Sequence, residues 1–170
     1  MVPESVAEIT AAGGRLGVAF EDLPEFTRLA GQMAVAFDMT AEAAGDSAAK
    51  LANVFQIPLS EVRALGDAIN TLGNNTAARE GEIVEALTRI GGSAKQFGLA
   101  TEQTAALAAS FIALGKSPET ASTAINALLN RLQTGGQGVK SFGEGLDDLG
   151  LSANRLAQSI RDNPQAALRE

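Results

Sequence analysis

The sequence predicts an all-α fold, a multi-helix array of about eight or nine short helices stacked as antiparallel hairpins. Three observations lead there. Apolar residues recur at 3-4-3 spacing through most of the chain, as in Val62, Leu65, Ile69 and Leu72. Alanine, a strong helix former, dominates the stretches between glycines and prolines. Runs of β-branched residues and strict polar–apolar alternation, the marks of strands, are absent.

Taken in order, Pro3-Glu4-Ser5 suits a helix start, Val6, Ile9 and Leu16 offer an apolar face, and Gly13-Gly14 is expected to end that helix. Asp22-Leu23-Pro24-Glu25 has the form of a capping box, with Asp22 as cap. The second helix then lines up Phe26, Leu29, Ala30, Met33 and Phe37. Asp38-Met39-Thr40 breaks the chain and caps a third helix. Leu51, Val54 and Phe55 are its heavy side chains, and Gly45 inside it signals close packing. Ile57-Pro58 interrupts; a fourth helix runs to about Leu72, with Gly73-Asn74-Asn75 as its stop.

The stretch 80–132 carries the most information. Ile83, Ala86, Leu87 and Ile90 form one stripe, Leu107, Phe111 and Leu114 a second, and Ile125, Leu128, Leu129 and Leu132 a third. Gly98 and Gly115 close the first two segments. Ser117-Pro118-Glu119 opens the third with a serine cap, a proline at the first helical position and an acid in the first turn. Ala100 stands where a serine or threonine cap is expected. Beyond Gly135-Gly136-Gln137-Gly138, read as a hinge, Val139, Phe142, Leu146 and Leu149 resume 3-4-3 spacing. Ser152 then caps a last helix with Leu156, Ala157 and Ile160, stopped by Asn163-Pro164.

A shift of sixty residues aligns two parts of the chain without a gap. Phe37 meets Phe97, Pro58 meets Pro118, Asn70 meets Asn130, and Gly31 meets Gly91. This suggests a duplicated three-helix unit over 22–72 and 82–132. Repeats that stack suit an elongated body better than a single globule.

Composition narrows the function classes. The chain has no cysteine, histidine, tryptophan or tyrosine. Disulfides and thiolate metal sites are thereby excluded, which fits an intracellular site of synthesis, and the commonest general base and metal ligand are missing. A net charge of −7 without a basic cluster opposes direct nucleic-acid binding through phosphates. The most apolar window, 105–114, is far short of the about twenty residues a bilayer span requires, so no membrane span is expected. Met1-Val2-Pro3-Glu4 has neither the basic start nor the apolar run of a secretory leader.

Three groups invite a chemical reading. Gly115-Lys116-Ser117 ends like a phosphate-binding loop, but Ser110 stands where that motif needs a glycine, a helix precedes it and Pro118 follows. Glu80, Glu82 and Glu85 form the tightest acidic group and could be imagined as a glycosidase pair. As first-turn acids of a helix they instead meet its dipole, and nothing nearby builds the apolar pocket that raises one carboxyl. Asp147-Asp148 lacks the alternating oxygen ligands of a Ca²⁺ loop. No catalytic, cofactor-binding or metal-ligating residue is therefore assigned, and no cofactor is expected. Gly31, Gly91 and Gly92 read as close helix crossings ahead of hinges.

The order of blocks resembles the core region of phage tail tape measure proteins. The resemblance rests on 83–90, Ala94-Lys95-Gln96-Phe97-Gly98-Leu99, 105–115, and Ser117-Pro118-Glu119 with 121–132. Upstream it adds 26–37 and Met39-Thr40-Ala41-Glu42, so it covers roughly 6–132. It implies a structural virion component acting in tail assembly, length determination and DNA ejection, located in the tail lumen after synthesis in the bacterial host cytoplasm. The partners it implies are tail-tube and tail-tip proteins and tail assembly chaperones, with the chain itself forming a homo-oligomer. It also implies a much larger parent, so an excised segment with an added Met1 is expected. The domain reading is a helical core over 1–134, a hinge at 135–138 and a helical segment over 139–170. Two alternatives remain open at this point: a cell-wall hydrolase domain of a tail protein, and a helical assembly chaperone or interaction module.

Overall fold

A computed structural model describes residues 3–133, with residues 144, 145, 148, 152, 155, 158, 159 and 162. The expected hinge at 135–138 and the stripes beyond it lie outside the continuously described residues. Among those described, the chain is all-α, with no strand. Helix α1 spans Pro3–Arg15, a 3-10 turn spans Phe20–Asp22, and α2 follows as Leu23–Ala36. Then come α3 (Ala41–Phe55), α4 (Leu59–Asn75), α5 (Glu80–Phe97), α6 (Thr101–Ala113) and α7 (Pro118–Gln133).

Most stripes read from the sequence are buried faces; α6 is the exception, where Leu107 and Phe111 are half-buried and Leu114 is exposed, because the small-residue face of Thr104, Ala105, Ala108, Ala109 and Ile112 packs on the core instead. Phe26, Leu29, Ala30, Met33 and Phe37 are all buried, as are Val62, Leu65 and Ile69, and Ile83, Leu87 and Ile90. They join one core that also takes in Ile9, Leu51, Ile125 and Leu129. Between these larger groups, Ala44, Ala48, Ala86, Ala94, Ala105, Ala108 and Ala121 are fully buried. Their small side chains bring helix axes close, yet each removes little apolar area from water at about 25 cal/mol per Å². Stability therefore rests on many modest contacts. Among the described residues, two polar side chains enter this core, and both are satisfied by their own helix: Thr104 Oγ1 donates to Ala100 O (2.9 Å) and Ser122 Oγ to Pro118 O (2.6 Å).

Five helix ends share one closure. Gly17, Asp38, Gln56, Gly98 and Gly115 all have positive φ. The residue after each donates its N–H five positions back: Val18 to Gly13 O, Met39 to Ala34 O, Ile57 to Ala52 O, Leu99 to Ala94 O and Lys116 to Phe111 O, at 3.0 to 3.3 Å. This is the left-handed helix stop, which glycine adopts freely and other residues adopt at a cost. Sequence reading located three of these stops, at Asp38, Gly98 and Gly115.

Starts were less uniform. Thr40 Oγ1 accepts the Ala43 N–H (3.2 Å) and Ser117 Oγ the Thr120 N–H (3.3 Å), as their residue types predict. Ala100 has no side chain able to cap, and Gln103 compensates: its Oε1 accepts the Ala100 N–H at 3.2 Å. The capping box expected at Asp22 is not formed. Asp22 closes the 3-10 turn in a helical conformation (φ −89, ψ −12), and its side chain makes no cap bond.

Two glycine stops are also corrected. Helix α1 continues through Gly13-Gly14 to Arg15, because the missing side chain at Gly13 admits the Phe26 ring; a Cβ there would fall 2.7 Å from ring carbons. Helix α4 continues through Gly73 to Asn75. Side chains four residues on add bonds to carbonyls near its end: Asn74 Nδ2 reaches Asn70 O, Asn75 Nδ2 reaches Thr71 O, and Thr76 Oγ1 reaches Leu72 O, at 2.7 to 2.8 Å.

Helix α1 packs on α3 and α2, and α4 packs in the same sense on α6 and α5. Helix α5 lies against α3, α6 and α7. Helices α3 and α6 start sixty residues apart, and Ala48 and Ala108, Ala49 and Ala109, Leu65 and Ile125, and Ile69 and Leu129 are buried in pairs. The triplets differ in their main pairing: α2 lies chiefly along α3, whereas α5 lies chiefly along α7.

Candidate functional site

The acidic group at 80–85 can be followed side chain by side chain. Glu80, Glu82 and Glu85 fall on the first two turns of α5, as the sequence implied. Glu82 Oε2 accepts the Arg79 N–H (3.1 Å), closing the helix start. Glu85 Oε1 pairs with Arg89 Nη2 at 2.8 Å, and the same guanidinium reaches Glu119 Oε1 of α7 at 3.4 Å. The Glu80 side chain fills the space that a Cβ at Gly73 would need. Each carboxylate thus has a structural neighbour: a helix start, an α5–α7 bridge, and a glycine of α4.

Among the described residues, Glu119 is the acid with a clear perturbation. Its carboxyl is held below the ordinary carboxylate range, first by its own backbone N–H, then by the Ser117 hydroxyl and the Glu85 side chain, with Arg89 adding a smaller attraction and desolvation opposing. It is a first-turn acid of α7 with an exposed side chain. The direction favours a permanent anion, the opposite of the raised carboxyl that acid catalysis requires.

Gly115-Lys116-Ser117 is a helix stop and restart. Gly115 takes φ +82 and Ser117 caps α7. An α-helix precedes it where a phosphate loop has a strand. Among the described residues no group of three acids, histidines or cysteines could hold a metal ion. Asp148 is exposed, and Asp147 lies outside the described residues.

A concavity of about 430 Å³ opens between the α1–α2 connection and the α3–α4 corner, walled by Leu16, Val18, Ala52, Ile57 and Pro58. Its two acids, Asp22 and Glu25, are exposed on its rim. A second, of about 210 Å³, lies between α2 and α4. There Arg63 Nη1 donates to Gln32 Oε1 at 2.7 Å and Arg63 Nη2 is buried without a partner. Sequence reading missed this arginine, whose role depends on α2 lying opposite it.

The glycines separate by what faces them. The Gly91 backbone is crossed by Val54 and Phe55 of α3, with the Phe55 ring 3.0 Å from the position of a Cβ. Gly92, its neighbour, has nothing within 4 Å. Helix α5 runs unbroken through both, so the close-crossing reading holds at Gly91. Gly45 is crossed likewise, 3.1 Å from Ala12 Cβ of α1.

These features describe a scaffold of crossed helices, and comparison with known proteins agrees. The family model for phage-related minor tail protein matches residues 2–170. The chain belongs to that family. It is also 31% identical, over 97% of its length, to a "Probable tape measure protein" of Halomonas phage phiHAP-1. The chain spans about a fifth of that relative's length. No solved structure matches. Membership in the minor tail family bears out the resemblance read from the blocks between 26 and 132, and associates the chain with a structural role in a phage tail. No helix among the described residues is long and apolar enough to cross a membrane.

Proposed function

We propose that this chain is a folded docking segment of a tape measure protein, which serves tail assembly and length determination and leaves the tail lumen when DNA is ejected. The observation that supports a docking role over a stretch of extended ruler is the crossed packing of α1 to α7. One core runs through all seven helices, and short left-handed stops turn the chain back between them. A ruler gains length from helical rise, about 1.5 Å per residue; these helices fold that length back on itself. The partners in this reading are tail-tube and tail-tip proteins and assembly chaperones, with the chain acting without catalysis.

An in-frame deletion of residues 80–133 from the tail protein that carries them tests this. A docking segment predicts few assembled tails, with the survivors of unchanged length in electron micrographs. Tails formed in normal number but shortened by about 80 Å, the rise of the deleted helices, would mean the segment is extended ruler.

A further inference from the structure

Helix α6 carries its heavy apolar side chains outward. Leu107 and Phe111 are half-buried, and Leu114, at the helix C-cap, is 78% exposed. They fall at i, i+4 and i+7, one stripe along the helix. A lone exposed leucine is ordinary on a protein surface. A stripe ending in one, on a helix whose inner face is built of small residues, is a face that wants a partner.

Sixty residues earlier the corresponding face has one. Leu51 and Val54 of α3 stand where Phe111 and Leu114 stand on α6; Leu51 is fully buried and Val54 half-buried. Helix α5, the helix that follows α4, lies on α3 there. A Val54 methyl and the Phe55 ring sit against the bare backbone of Gly91.

The sequence marks of α5 return after α7. A shift of fifty-nine residues brings Glu85 onto Glu144, Leu87 onto Leu146, Ile90 onto Leu149, Gly91 onto Gly150 and Ala94 onto Ala153. At helical spacing Gly143, Leu146 and Gly150 share one face, and two bare glycines suit the bulky stripe of α6. Glu144, Gly145 and Asp148 are helical and exposed, and their positions fall on the opposite face. The chain leaves α7 at Gln133 as it leaves α4 at Asn75, with Gly135-Gly136-Gln137-Gly138 as the link.

We propose that residues 139–156 of this chain are the partner of that face, laid over Leu107, Phe111 and Leu114 with Gly150 at the crossing, as α5 lies over α3 with Gly91 at the crossing. A repeat that cannot bury its outer face alone buries it against the next one. Gly115 stands in place of Phe55 and Asn154 in place of Lys95, so this crossing lacks the ring and the ammonium of the first, and Phe111 and Leu114 supply its apolar area. The inference uses one relation, α5 on α3. It requires neither superposable triplets nor the tail role proposed above.

Disulfide trapping in the full chain tests it, and the absence of natural cysteine keeps the readout clean. Leu114→Cys with Gly150→Cys puts two thiols at the crossing. Leu114→Cys with Gly145→Cys puts the second where nothing lies within 4 Å of a Cβ. At low protein concentration the crossing pair is expected to form an intrachain bond about tenfold faster or more than the control pair, because a disulfide needs its Cβ atoms about 3.5–4.5 Å apart. Single-cysteine variants give a second reading that leaves Gly150 intact: Leu114→Cys is expected to react with a maleimide about tenfold more slowly than Ala113→Cys on the same turn. Equal rates for the two pairs, or equal labelling of the two single variants, would overturn the proposal. Bonds that form between chains and grow with concentration would overturn it too, by making a second copy the occupant.

Discussion

Lys95 Nζ donates to Phe55 O and to Gln56 Oε1, each at 2.9 Å, forty and thirty-nine residues back along the chain. The ammonium meets the C-terminal end of α3, where open carbonyls carry partial negative charge. Gln56 is forced into a left-handed conformation at that corner (φ +52). One side chain of α5 thus fixes the end of α3, the crossing of Val54 and Phe55 over Gly91, and the corner into α4.

Lys95→Met keeps most of the apolar stem and removes both bonds. It should lower stability by about 1 kcal/mol, at the modest end for a charged hydrogen bond because the lysine is exposed. Urea unfolding followed by circular dichroism measures it, and an unchanged midpoint would mean the contact contributes nothing in solution.

Adjacent glycines on α5 should respond with opposite signs. Gly91→Ala drives a methyl into Val54 and the Phe55 ring and should cost about 1–3 kcal/mol, the usual range for overpacking. Gly92→Ala meets nothing within 4 Å and should gain about 0.5–1 kcal/mol from helix propensity. Thermal melts of the two variants decide the matter, and equal effects would contradict the crossing described for α3 and α5.

Asp38 is exposed with φ +51 at the stop after α2. Asp38→Gly relieves that conformation and should raise stability by about 1 kcal/mol, less the added freedom of glycine in the unfolded chain. The melting temperature would rise by roughly 2–4 °C for a chain of this size. A fall would show that the aspartate side chain supports the turn.

The depressed Glu119 carboxyl links stability to pH. Its folded pKa lies below the ordinary glutamate value of 4.5, so its contribution is present above that value and lost as pH falls through the lower folded one. Melting temperatures of wild type and Glu119→Gln should therefore differ above pH 4.5 and converge in stronger acid. A constant difference across that range would assign the effect to packing at the start of α7.

Much of this molecule is legible locally. Periodicity at Phe26–Phe37 and Ile83–Ile90 gives the buried faces, because a stripe on one side of a helix has to be covered by something. Thr40 and Ser117 give helix starts, and Gly98 and Gly115 give stops, since each acts through backbone bonds within a few residues. The family resemblance follows from the order of those signals.

What the sequence by itself determined is therefore the fold class, most element boundaries and membership in a tail protein family. Tertiary structure alone decided which helix crosses which, and with it the meaning of residues whose role depends on a distant neighbour. Gly13 and Gly73 resemble helix ends in sequence but lie inside helices, because Phe26 and Glu80 occupy the space a side chain would take. Gly91 and Gly92 are indistinguishable as letters; one is a crossing point and the other open surface. A glycine states only that a side chain is missing, and what fills that gap is set by contacts the local sequence does not contain.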